Sequence, residues 1–131
     1  MGGEAQLWSH IRDKDIPGHI QRIEDMLTPS IPDLNWCYEG KEYWIELKDQ
    51  PTPVIRSTIV GLDIGQARWL LRRQKYGGNC RVLFRAGRYS QRQWYVFDKE
   101  FRMLVDSQPY ETLRELAKHY WEGDFDWRFL L

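Results

Sequence analysis

Hydrophobic and polar positions change period several times along the chain, and each period predicts a different element. Between Glu4 and Asp15, Leu7, Trp8 and Ile11 recur at helical spacing, and Pro17-Gly18 breaks the run. His19 to Glu24 reads as a first strand. Alternation then takes over: Asp33 to Tyr38 (DLNWCY) and Glu42 to Lys48 (EYWIELK) flank Glu39-Gly40-Lys41, the pattern of two antiparallel strands joined by a tight turn. Tyr43, Ile45 and Leu47 fall on one face of the second strand, the expected core face, and Trp44, Glu46 and Lys48 on the other. Asp49 to Gly61, with two prolines, reads as a loop inside the domain.

A second helix follows, with Ile64, Ala67, Leu70 and Leu71 as its apolar stripe. Asp63 is placed to cap it with Gln66 three residues on, a variant of the capping box, and Gly77-Gly78 end it. Cys80 to Arg85 and Gln93 to Phe97 read as two further strands. Glu111 to Trp121 reads as a final helix striped by Leu113, Leu116, Ala117 and Tyr120. The predicted order α-β-β-β-α-β-β-α implies an α/β fold, a mixed sheet flanked by helices, in a single domain over 1–131.

Composition narrows the functional classes. A chain of 131 residues supports one compact core. No stretch reaches the roughly 20 apolar residues of a membrane span, and the N-terminus lacks the order of a secretory signal, so a cytoplasmic protein without a membrane partner is expected. Cys37 and Cys80 lie far apart without metal spacing, and His10, His19 and His119 form no metal motif; neither a zinc site nor a disulfide framework is indicated. No glycine-rich phosphate loop or G-x-S-x-G motif occurs, which removes P-loop hydrolysis, serine esterase chemistry and a nucleotide cofactor. The formal net charge is zero, yet 64–97 contains no acid while carrying Arg68, Arg72, Arg73, Lys75, Arg81, Arg85, Arg88 and Arg92. That segment is either a phosphate track or a solvated helix and hairpin.

The hairpin carries the candidate chemistry. With a two-residue Glu39-Gly40 turn, Tyr38 lies opposite Lys41, and counting back sets Asp33 across from Glu46 on one face. A three-residue turn with a bulge at Gly40 shifts this by one. Two facing carboxylates repel, and Lys48 offsets the pair only in part, so a compensating cation is needed. Magnesium fits: it takes one or two carboxylates and leaves positions open for water and phosphate oxygens.

Ile31-Pro32-Asp33 followed by Ile45-Glu46-Leu47-Lys48 in a second strand resembles the PD-(D/E)XK nuclease pattern. SIPDLN, the turn glycine, YWIELK, Gln66 with Trp69-Leu70, and Gly77-Gly78 look like the stand-alone VRR-NUC nucleases common in phages. The resemblance spans Glu4 to about Phe97. It implies a restriction-endonuclease-like fold, with Asp33, Glu46 and the backbone carbonyl of Leu47 as Mg2+ ligands, Mn2+ substituting, and Lys48 near the attacking water as base or positioner. It also implies a metal-binding role for Glu4 on the first helix, against which stands the ordinary preference for an acid in a first turn. Gln66 resembles a catalytic-site glutamine, against the simpler reading of a helix cap. Arg56, Ser57, Thr58, Arg72 and Arg73 are the next candidates for DNA backbone contacts. The implied activity is a magnesium-dependent DNA endonuclease, selective for branched or junction DNA as small resolvase-like nucleases are, and working as a homodimer because two symmetric strands need two sites. The alternatives are a non-cutting DNA-binding or assembly module and a nuclease that nicks linear duplex.

Overall fold

The computed structural model describes residues 2–23 and 27–131. Helix α1 (Gly2–Arg12) leads into β1 (His19–Arg22), β2 (Leu34–Tyr38) and β3 (Lys41–Gln50). A short strand β4 (Ser57–Thr58) precedes helix α2 (Ile64–Lys75), which is followed by β5 (Asn79–Ala86) and β6 (Gln93–Phe97). Then come a short β7 (Gln108–Pro109), helix α3 (Tyr110–Leu116) and β8 (His119–Glu122). The strand expected to reach Glu24 stops at Arg22, Ile23 being outside it, and Glu24 lies outside the described residues.

Six strands form one sheet in the order β1-β2-β3-β5-β6-β8. Only β3 and β5 run parallel, and the crossover between them contains α2; every other pairing in this sheet is antiparallel. The parallel pair occupies the centre because a crossover helix covers its face. Accordingly β5 is buried along Cys80 to Ala86.

Both faces of the sheet are core, where alternation in β3 had marked only one. Leu7 and Ile11 of α1 pack with Leu34, Trp36, Tyr43, Ile45, Leu47 and Leu83. Ala67 and Leu70 of α2 pack with Val82, Phe84, Tyr95 and Phe97, with Leu113 from α3 beside them. The face bearing Trp44, Glu46 and Lys48 is therefore the one under α2.

Two expectations change. The predicted helix Glu111 to Trp121 stops at Leu116, and His119–Glu122 becomes an edge strand in which Tyr120 pairs with Tyr95. A short aromatic-rich run suits either period. The open edge of β6 decides, because strand pairing satisfies backbone groups that a longer helix would leave bare. The loop 49–61 is also tied down: Ser57 and Thr58 pair with Pro109 and Gln108, and the Tyr110 N–H donates to the Arg56 carbonyl. Among the described residues no helix is long and apolar enough to cross a membrane.

Candidate active site

The site begins with a turn. Glu39 and Gly40 both have positive φ, 50° and 79°, as a two-residue hairpin turn of the primed type requires. Tyr38 then pairs with Lys41 and Leu34 with Ile45. Continuing that ladder by one residue sets Asp33 beside Glu46. The Ile23 N–H donates to the Asp33 carbonyl, and Asp33 Oδ2 accepts the Leu47 N–H at 2.9 Å. Asp33 is thus fixed immediately before β2 begins, opposite a part of β3 that runs on past it.

Glu46 is 2% exposed. Its Oε2 accepts from Gln66 Nε2 at 2.9 Å and lies 3.4 Å from Lys48 Nζ, while its Oε1 is buried with no hydrogen-bond partner. Burial raises the pKa of Glu46 to about 8; the neighbouring Asp33 carboxylate pushes the same way and Lys48 opposes. Burial also raises Asp33, held back by the Leu47 N–H and by Lys48. Each carboxyl group feels the other: Asp33 pushes Glu46 up, while Glu46 helps hold Asp33 down.

Gln66 serves two structures at once. Its backbone N–H donates to Asp63 Oδ1 at 2.8 Å and its Oε1 accepts the Asp63 N–H at 3.1 Å, the reciprocal capping box. Its Nε2 remains free for Glu46. One side chain thus both caps the helix and hydrogen-bonds Glu46. The helix start comes close to the segment before Asp33 because residue 65 is glycine: a Cβ there would meet Ser30 Oγ at 2.8 Å. A glycine in the first turn of a helix, which costs stability relative to alanine, is the signal that marks this close approach in sequence.

Other candidates fall elsewhere. Glu4 is half-buried on α1, which packs on the sheet face opposite Glu46. Among the described residues no group of three or more His, Cys, Asp or Glu side chains is gathered as a metal cluster, so Glu4 does not join Asp33 and Glu46 here. Arg56 and Ser57 are exposed, Thr58 donates to Gln50, and Arg72 is exposed on α2. Arg73 is stacked over Trp44 and Trp69 at 5.2 and 4.8 Å.

The acid-free segment divides. Arg85 and Arg88 both bind Asp49, and buried Arg81 donates to the carbonyls of Leu130 and Leu131. These three arginines are structural anchors and Arg92 faces Asp124 at 3.9 Å, leaving the α2 portion as the accessible basic surface. The Asp49 cluster escaped sequence reasoning because its members are 36 and 39 residues apart.

The incompletely partnered carboxylate pair, Glu46 buried and Asp33 half-buried, fits a hard divalent cation. Glu46 Oε1 lacks a donor, Asp33 is adjacent, and both are oxygen ligands short of positive charge.

Among solved structures, the chain is similar to Hjc, a Holliday junction resolvase from the archaeal hyperthermophile Archaeoglobus fulgidus. The similarity has a TM-score of 0.55 over 87% of this chain and 91% of that one, at 15% sequence identity. It establishes the fold. The chain has the α/β architecture expected from its element order, in the restriction-endonuclease-like form that the PD-(D/E)XK resemblance implied. No family model and no curated protein matches it.

Proposed function

We propose that this chain is a Mg2+-dependent endonuclease that hydrolyses phosphodiester bonds of branched or junction DNA, with Mn2+ able to replace Mg2+. The observation that carries the reading is the Asp33–Glu46 pair, a half-buried and a buried carboxylate, in which Glu46 has one orphaned oxygen and a lysine 3.4 Å from its other oxygen. A structural ion pair would have its charges matched and its oxygens satisfied; this one leaves room for a cation.

Asp33, Glu46 and the Leu47 carbonyl would hold the ion. In an extended strand a residue's N–H and C=O point to the same side. Since the Leu47 N–H reaches Asp33, its carbonyl opens on that side too, past the start of β2. The cation supplies Lewis-acid polarisation of a phosphoryl oxygen and lowers the pKa of water. Gln66 holds Glu46 Oε2 in place, so the second carboxylate is oriented before any ligand arrives. Lys48 supplies positive charge beside Glu46, where it positions a nucleophilic water or stabilises charge building on the phosphate. Arg72 on α2 and Arg56, Ser57 and Thr58 of the anchored loop are assigned to the DNA backbone. Likeness to a Holliday junction resolvase supports junctions as substrate, and a junction's two symmetric cuts support a homodimer.

The test incubates the protein with a four-way junction, a flap and linear duplex, each with Mg2+, with Mn2+ and with chelator. Junction cleavage that chelator abolishes and Asp33→Asn eliminates is expected. Equal cutting of linear duplex overturns the substrate. Tight binding with no cutting under either metal overturns the enzyme.

A further inference from the structure

We propose that the cleft between the β2–β3 turn and the C-terminal half of α2 binds an unpaired nucleotide of a nucleic-acid strand, stacking its base on aromatic rings and pairing its phosphate with basic side chains. The cleft has a volume of about 660 Å3, within the range of ~300–1,000 Å3 typical of small-molecule sites. Trp44 from β3 and Trp69 from α2 meet in it edge to face, with centroids 5.3 Å apart, and the Arg73 guanidinium already lies over both rings, so a base would stack on that guanidinium or on Tyr76. Tyr76 stands at its rim with 75% of its surface exposed. Within the chain the Lys75 ammonium approaches this ring, 5.9 Å from its centroid, so a base stacked on the open face would lie beside a cation.

Charge points the same way. Lys41, Arg72 and Arg73 line the cleft against one acid, Glu42, whose Oε1 is occupied by the Asn35 amide at 3.2 Å. The negative end of the α2 dipole opposes an anion here, yet the Tyr76 and Gly78 N–H groups cap the Arg73 carbonyl and the Gly77 N–H caps that of Gln74. Arg72, Arg73 and Lys75 in the last turn offset what remains.

Position links the cleft to the carboxylates. Trp44 precedes Glu46 by two residues on the same strand face, about 7 Å along β3. Trp69 lies about one helical turn beyond Gln66. The cleft and the carboxylates thus share the β3–α2 layer, at successive positions along both elements. The site rests on the nuclease reading only for the source of that nucleotide; the stacking and charge stand without it.

The test uses the full chain in chelator, so that nothing is cut. Its probes are a short oligodeoxyadenylate and an abasic strand with the same number of phosphates, followed by tryptophan fluorescence. The adenylate strand is expected to quench the tryptophans and to bind about tenfold more tightly than the abasic one. Tyr76→Ala, with its melting temperature retained, removes most of that tenfold preference. Arg72→Gln weakens both strands and lowers the salt slope by about one. Equal affinity for the two strands, or a full preference in Tyr76→Ala, overturns the proposal. Junction cleavage without base preference sinks this site and leaves the nuclease standing. Base-dependent quenching in a protein that cuts nothing does the reverse.

Discussion

Glu46 and Asp49 lie three residues apart on β3, both carboxylates almost fully buried, and their surroundings are opposite. Asp49, 1% exposed in its side chain, receives Arg85 at 2.8 Å and Arg88 at 2.6 Å, so two guanidinium groups surround one acid. Glu46, 3% exposed in its side chain, has one lysine at 3.4 Å, an adjacent acid and an oxygen with no partner. Strand alternation puts them on different faces: Asp49 toward α1, where a Cβ on Gly3 would lie 3.1 Å from its Oδ2, and Glu46 under α2. A buried acid that holds the fold together is over-supplied with cations. A buried acid left short of them costs stability, and that deficit is what a metal site requires.

The sharpest break between the two uses neutral isosteres. Glu46→Gln is expected to lower metal-dependent cleavage by about a thousandfold, while raising the stability of the metal-free protein at pH 8 by about 1–3 kcal/mol. Asp49→Asn does the opposite: it lowers stability by roughly 3–5 kcal/mol by stranding two arginines. Gel cleavage assays and chemical denaturation in chelator separate the pair, and equal destabilisation by both variants would erase the distinction.

The comparison also has a pH signature. Because burial and Asp33 raise Glu46 from 4.5 to about 8, the folded state keeps a proton that the unfolded state releases. Below pH about 4.5 the group is protonated in both states and makes no difference. Through the window from there to about 8, metal-free stability falls as pH rises, with a contribution approaching ~1.4 kcal/mol per unit. Denaturation midpoints measured across this window should lose that slope in Glu46→Gln, and calorimetry near pH 7 should detect proton release on Mg2+ binding.

A smaller effect tests the hydrogen bond to Glu46. Gln66→Ala removes it and one arm of the capping box; it is expected to cost about 1 kcal/mol in stability and ~10–100-fold in metal affinity or cleavage. Gln66→Glu, which keeps a capping acceptor but adds a third acid, separates cap from site: near-normal stability with impaired cleavage is the expected outcome.

The pairing of Asp33 with Glu46 was legible because a two-residue turn and strict alternation determine every neighbour across a hairpin. The capping box of Gln66 was legible for the same local reason. Reach was the limit. That Gln66 Nε2 meets Glu46, and that Arg85 and Arg88 belong to Asp49, both depend on a parallel crossover joining β3 to β5. The last helix shows the same boundary, since Tyr120 suited a helical stripe until the open edge of β6 claimed it. Local periodicity and turn length thus determined the hairpin and its two carboxylates. Only tertiary packing decided which buried acid is neutralised, because the cations that do so come from elements tens of residues away.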